Sequence, residues 1–135
     1  MNSNYKDYPQ HLIDTKDLRK EIAPLGESVE FLYKDLKELW NHNQINSDVN
    51  EPKWREKMHW ILMRKMDKLS WNIYRIFTGK KSTIDVVEVI NYYSREMSSF
   101  AKYAKFLNSE RISNKLFTVI KYLSEFIAYL SKKLP

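Results

Sequence analysis

The chain has 135 residues, 43% of them hydrophobic and 14% aromatic, and its 23 Lys and Arg exceed its 17 Asp and Glu, for a net charge of +6. This length suits a single domain with one core. Two glycines and four prolines are too few for the frequent turns of an all-β protein. The lack of cysteine excludes disulfides and thiolate metal sites. The positive charge favours acidic protein segments, nucleic acid or anionic lipid as partners without distinguishing them.

The N-terminal residues predict an extended arm. Residues 1–13 are mostly polar and include Tyr5, Tyr8 and Pro9, and residues 14–135 form the single predicted domain. No run approaches the ~18 consecutive apolar residues of a membrane span, and the arm lacks the apolar segment of a signal peptide. We therefore expect a soluble domain with no targeting segment of its own.

Two short helices are predicted next. The first begins after Asp14 or Thr15, either of which can cap it, and Pro24-Leu25-Gly26 stops it. The second is capped by Ser28, and its apolar residues recur at spacings of three and four. Because Asn, Asp and Ser fill residues 43–50 without periodicity, we expect the longest loop there. No strand is expected in the chain.

Three long helices follow. The first has Pro52 in its opening turn, where the missing N–H costs nothing, and stops at Gly79, about 25 residues or roughly 38 Å later. A capping box at Ser82-Thr83-Ile84-Asp85 predicts the next helix, which ends near Asn108. No Gly or Pro separates it from the last helix, so their continuity stays open. The predicted architecture is an all-α, antiparallel bundle of three long helices preceded by one or two shorter N-terminal helices.

Residue groupings that carry catalysis or hold a metal ion are scarce. Glu56 and His59 form an E-x-x-H pair, but a di-iron bundle needs a second pair and two further Glu, so we expect a surface salt pair. Arg55 and His59 approach the signature of HEPN ribonucleases with one intervening residue too few. No phosphate loop or hydrolase motif occurs. We therefore predict a non-enzymatic protein with no metal or other cofactor.

The helix predicted over residues 52–79 has two different faces. One face is an apolar seam, formed by Trp54, Met58, Leu62, Met66, Leu69, Ile73 and Ile76. Opposite the seam lies an aromatic row, formed by Trp60, Met63, Trp71 and Tyr74. Beside the aromatic row lies a basic row, formed by Lys57, Arg64, Lys68 and Arg75. Aromatic rings give contact area at low entropic cost, and adjacent cations pair with carboxylates, so the two rows predict recognition of an acidic protein segment. The candidate partner-binding residues are Lys57, Trp60, Met63, Arg64, Lys68, Trp71, Tyr74 and Arg75.

Both rows also fit a purely structural interpretation. A central helix in a bundle is covered on more than one side, so the aromatic residues also suit a core, and a basic row also suits a solvated face. Exposure of Trp60, Trp71 and Tyr74 in the structure distinguishes a docking surface from a core.

Four features in the N-terminal half of the chain carry a family resemblance. They are Tyr5 and Tyr8, His11–Leu18 with Ile22 and Leu25, Leu39-Trp40-Asn41, and Lys53-Trp54 with Met58, Leu62, Met66 and Leu69. In order and spacing these features resemble the PHIST domain, also called PRESAN, of exported malaria-parasite proteins.

The resemblance implies a helical bundle exported to the host red cell, in its cytosol or at the underside of its membrane. It further implies tethering of the acidic cytoplasmic tail of a parasite surface adhesin, or of a host membrane-skeleton protein. The leading hypothesis is thus a protein-protein interaction module, with a nucleic-acid-binding or anionic-membrane-surface bundle as the alternative. Nucleic acid is not the expected partner, and the oligomeric state is not predicted.

Overall fold

The computed structural model describes residues 11–45, 53–107 and 109–134, which contain four α-helices and two short strands. In chain order the elements are β1 (Leu12–Asp14), a 3₁₀-helix (Thr15–Leu18), α1 (Arg19–Ile45), α2 (Lys53–Phe77), β2 (Thr83–Asp85), α3 (Val86–Ala104) and α4 (Glu110–Ser131). The helices pack antiparallel, which confirms the predicted all-α bundle. Residues 1–10 of the predicted arm, residues 46–50 of the predicted loop and the predicted helix start at Pro52 lie outside the described residues. Residues 43–45, predicted as loop, belong to α1 instead.

Helices α1 and α4 each pack against two other helices. Helix α1 packs against α2 and against α4, and α3 packs against α4. Around the bundle the helices therefore follow the order α2, α1, α4, α3, and α2 and α3 contact each other much less. Buried apolar residues of all four helices form one core, in which each Leu, Ile or Phe contributes about 1.5–3 kcal/mol. The bundle is thus closed along three helix pairs and open along the fourth.

The apolar seam predicted for α2 is buried along most of the helix. The buried seam consists of Leu62, Met66, Leu69, Ile73 and Ile76. Nearer the N-terminus, Met58 is half-buried and Trp54, which was expected in the seam, is 50% exposed. Helix α2 ends before Gly79, whose φ of 77° is a left-handed conformation that favours glycine. The predicted extent of this helix is confirmed.

The predicted break at Pro24-Leu25-Gly26 is wrong, because α1 runs through it without interruption. Ile22 and Val29 are buried on either side of the proline, so one apolar stripe continues across it. Gly26 lies where α1 approaches α2, since a Cβ there would be 3.0 Å from Cγ2 of Ile73. Ser28 is buried and is not an N-cap; its hydroxyl donates to the Leu25 carbonyl at 2.8 Å. The two short helices are therefore one long helix.

A short antiparallel strand pair, which the sequence did not predict, joins the start of the described chain to the α2–α3 connection. Strands β1 and β2 align Ile13 with Ile84, and Ile84 is buried in the core. Asp85, not Ser82, caps α3, because its carboxylate accepts from the N–H of Val87 at 3.0 Å. Strands of three residues are too short to show the alternation by which a sequence reveals them.

Helices α3 and α4 are separate, which answers the question that the sequence left open. Helix α3 ends at Ala104, earlier than the predicted end near Asn108. Ser109 then caps α4, where its hydroxyl accepts from the N–H of Ile112 at 3.3 Å. Serine is a favoured N-cap for this reason, so the chain reverses here without a glycine or proline.

The path of α1 through Pro24 predicts that this proline weakens the fold. Proline lacks the N–H that an interior helical residue donates, and its ring crowds the preceding turn, while the Pro24 side chain is exposed. Pro24→Ala should raise the free energy of unfolding by about 1–3 kcal/mol, measured by urea denaturation followed by circular dichroism. Glu27→Ala, exposed on the same helix, is the control and should change it by about 0.5 kcal/mol or less. No gain from Pro24→Ala would indicate a helix already interrupted there.

Candidate functional site

A groove of about 550 Å³ separates α2 from α3 on the open side of the bundle. Helix α2 supplies most of its lining, including the predicted residues Trp60, Arg64, Lys68 and Trp71, and the opposite wall comes from α3. The groove exists because α2 and α3 each pack mainly on another helix and touch each other little. We call it the α2/α3 groove. It brings half of the predicted site residues into one concave surface.

The α3 wall and the inner side of α2 are joined by a buried phenol. The Tyr93 hydroxyl donates to Oδ1 of Asn72 at 2.7 Å, and burial, with the neighbouring Tyr92, raises the pKa of Tyr93. Burial also raises the pKa of Tyr92, and the Glu96 carboxylate adds to this effect while Arg95 opposes it. Both phenols are therefore protonated at neutral pH, and that of Tyr93 acts as a hydrogen-bond donor.

Two further side-chain contacts join α2 to α3 or to the turn that follows it. Near the N-terminus of α2, the ring of Trp54 meets that of Phe106, two residues beyond the end of α3, edge to face with centroids 6.1 Å apart. About 16 Å farther along α2, at ~1.5 Å per residue, Nζ of Lys65 lies 3.3 Å from Oε1 of Glu96. These contacts, with Tyr93, hold the two helices beside each other without closing the groove.

The aromatic row of α2 is exposed. Trp60 is 44%, Trp71 61% and Tyr74 45% accessible to solvent. The Trp71 and Tyr74 rings meet edge to face at 5.9 Å, Cζ of Arg64 lies 5.2 Å from the Trp60 ring centre, and Nζ of Lys80 lies 5.3 Å from that of Tyr74. The core interpretation of this row is therefore wrong. The row is uncovered because α1 packs on the seam side of α2, where Gly26 approaches Ile73.

The basic row is exposed as well. Lys57, Arg64, Lys68 and Arg75 all lie on the solvent side of α2 and extend over about 27 Å at ~1.5 Å per residue. None of them forms an ion pair with another residue in the described part of the chain. Their charges are therefore available to an outside ligand.

The predicted site is not uniform. Met63 is half-buried against the core, so it does not contribute to the exposed row. Lys57 and Arg75 extend the basic row beyond the groove lining, and Tyr74 lies beside Trp71 outside that lining. The groove thus contains the central part of the predicted surface.

Sequence reasoning missed the α3 wall of the groove and part of the α2 wall. The missed residues are Ile61, Lys65, Asp67, Tyr92 and Glu96. Tyr92 and Glu96 are four residues apart and therefore share a face of α3, which is a signal that the sequence does contain. Periodicity does not say which helix that face meets, so the pairing of α2 with α3 was not predictable.

The E-x-x-H pair does not form the expected surface salt pair. His59 is buried, its Nε2 lies 2.8 Å from the Leu36 carbonyl, and its ring packs 5.6 Å from that of Trp40. Because a carbonyl only accepts, Nε2 carries the proton. The histidine therefore connects α2 to α1. In the described residues, no three His, Asp or Glu side chains are grouped to hold a metal ion, and none of the helices found there could cross a membrane.

No family model, curated protein or solved structure matches this chain. The resemblance to the PHIST domain therefore stays a prediction from sequence. The geometry of the α2/α3 groove and of the two exposed rows is the basis for assigning a function.

Exposure predicts that the aromatic row contributes little to folding. Trp71→Ala should change the free energy of unfolding by about 1 kcal/mol or less, because the ring is already largely in solvent. Leu69→Ala is the matched comparison on the same helix; Leu69 is fully buried, and its truncation should cost about 2–5 kcal/mol. Urea denaturation measures both. Equal losses in the two variants would place Trp71 in the core and contradict the exposed surface.

Proposed function

We propose that this chain is a non-enzymatic protein-binding module that holds an acidic segment of a partner protein along the α2/α3 groove. The observation that carries the proposal is the exposed aromatic row lying beside an exposed basic row whose cations have no carboxylate partner in the described residues. A single helix, α2, holds both rows on a rigid support.

The chemistry of the two rows supports a protein partner. Trp, Tyr and Arg are the residues in which binding energy concentrates at protein interfaces, because they bury large area with few rotatable bonds. Trp60 and Trp71 lie on the groove wall with Arg64 and Lys68. A partner segment that alternates apolar side chains with carboxylates can satisfy both rows at once, its apolar side chains against the aromatic rings and its carboxylates against the cations.

The groove suits a nucleic acid or an anionic membrane less well. Asp67 and Glu96 lie among its lining residues, and negative charge there disfavours a ligand whose phosphates are closely and regularly spaced. A protein segment places its carboxylates at intervals and can pass both acidic residues without repulsion. A nucleic-acid-binding or membrane-surface bundle is the alternative, and it makes a different prediction in competition experiments.

The resemblance to the PHIST domain extends the proposal to a biological setting. We propose an exported protein of the malaria-parasite type that acts in the host red cell, in the cytosol or beneath the membrane. The acidic segment would be the cytoplasmic tail of a surface adhesin or a part of a membrane-skeleton protein. Affinity capture from red-cell and parasite lysates, with the charge-reversal variant described next as the control bait, identifies the partner.

The basic row predicts a charge-dependent affinity. The probe is a fluorescein-labelled peptide of about 18 residues with Glu and Leu at helical spacing, long enough to follow the row. Reversal of Lys57, Arg64, Lys68 and Arg75 to Glu should weaken its binding at least about tenfold in fluorescence anisotropy, because attraction becomes repulsion. Added salt should also weaken binding of the peptide to the unmodified chain, because it screens the attraction.

A matched variant tests whether the loss of affinity depends on this surface or only on the net charge of the chain. Reversal of Lys20, Lys37, Lys121 and Lys132, all exposed outside α2, makes the same change in net charge and should weaken binding much less. Equal weakening in both variants would contradict the proposed surface. Displacement of the peptide by duplex DNA or by phosphatidylserine vesicles at equal charge concentration would favour the alternative function.

The aromatic row predicts an affinity loss of its own. Trp60→Ala combined with Trp71→Ala should weaken binding of the same peptide by about tenfold or more, as expected for large aromatic residues at an interface, while circular dichroism and the melting temperature stay nearly unchanged. Phe117→Ala on α4, which removes a ring that is 53% exposed away from the groove, is the control. An affinity unchanged by the double substitution would show that the aromatic row does not bind the peptide.

A further inference from the structure

Within the α2/α3 groove, the Glu96 carboxylate of α3 already pairs with a cation of α2, Lys65. Nζ of Lys65 lies 3.3 Å from Oε1 and 3.4 Å from Oε2 of Glu96, so the ammonium group contacts both oxygens. The Glu96 side chain is only 13% exposed and that of Lys65 30% exposed. The pair connects helices that otherwise make few contacts. It is therefore a contact across the groove and not a part of the core.

The surroundings of Lys65 are those of a carboxylate-binding position. Arg64 is its chain neighbour and Lys68 lies about one turn further on; both line the groove with it, and neither pairs with a carboxylate in the described residues. Asp67 also lines the groove and has no ion pair in the described residues. A mostly buried carboxylate such as that of Glu96 is stabilised by an adjacent cation. The groove thus contains three adjacent cations, of which one is occupied by a carboxylate from α3.

We propose that Lys65, with Arg64 and Lys68, forms a binding site for partner carboxylates, and that Glu96 occupies it in the free chain until a Glu or Asp side chain of the partner replaces it. This inference rests on the proposed function and assigns the chemistry of its ligand. No covalent change is involved. The Lys65 ammonium exchanges one carboxylate for another, and Glu96 turns into solvent at the edge of the groove.

An internal carboxylate also selects the kind of ligand. Glu96 is held on α3 close to Lys65, so it competes at the high effective concentration of an intramolecular group. A single carboxylate from solution cannot overcome that competition. A segment that presents several carboxylates can, because it also pairs with Arg64 and Lys68, which no internal carboxylate occupies. The ligand class is therefore a protein segment with closely spaced Glu or Asp side chains.

Removal of the internal carboxylate tests this site. Glu96→Gln keeps the shape of the side chain and can still accept a hydrogen bond from Lys65, so it should fold. The affinity for the Glu-Leu probe peptide should rise about tenfold, measured by fluorescence anisotropy with circular dichroism as the check on folding. Glu88→Gln is the matched control, because Glu88 is exposed on the same helix and its loss changes the net charge equally. The control should change the affinity by less than about twofold.

The position of Lys65 supplies the second arm of the experiment. In a chain with Lys65→Met, Glu96→Gln should give little or no gain, because the cation that Glu96 occupies is gone. A rise in peptide affinity that persists without Lys65, or one no larger than that of Glu88→Gln, would overturn the assigned site. The proposed function would still stand in that case if the unmodified chain binds the peptide. A folded Glu96→Gln variant that binds the Glu peptide no better than a peptide with Gln in place of Glu would overturn both.

Discussion

The packing of α1 against both α2 and α4 sets the positions of these two helices. Its apolar stripe supplies the buried contacts. Polar contacts add to the apolar ones, since Asp35 of α1 pairs with Lys115 and, at 3.1 Å, with Arg111 of α4. Helix α3 in turn has α4 as its main contact. The opening between α2 and α3 thus follows from the packing of α2 on α1 and of α3 on α4.

That opening explains why one helix carries both a buried seam and two exposed rows. The buried seam of α2 faces α1, so its remaining circumference is divided between the groove and solvent. Trp60 and Trp71 are far more exposed than the seam residue Leu69, although all three lie on one helix. A helix enclosed on every side would need apolar residues all round. The amphipathic character of α2 is therefore consistent with a helix at an open edge.

Elements whose pattern extends over many residues could be predicted from the sequence, whereas contacts between residues distant in the chain could not. The periodic seam predicted α2, and the same periodicity placed the aromatic and basic rows away from the seam without deciding whether they are exposed. Pro24 and Gly26 misled because they act locally, whereas the stripe that continues past them is stabilised by packing on α2 and α4. The opposing wall, including Glu96, depends on the order of the helices around the bundle, and that order is set by packing between elements that no local pattern records.

The pairing of β1 with β2 has a mechanical consequence for the groove. It ties the chain before α1 to the segment between α2 and α3 through backbone hydrogen bonds, such as that from the N–H of Val86 to the carbonyl of His11 at 2.7 Å. The opposite end of the groove is spanned by the rings of Trp54 and Phe106, which are each half exposed. The segments around α2 are therefore tied together near both of its ends, by backbone hydrogen bonds of the strand pair at one end and by a ring contact at the other.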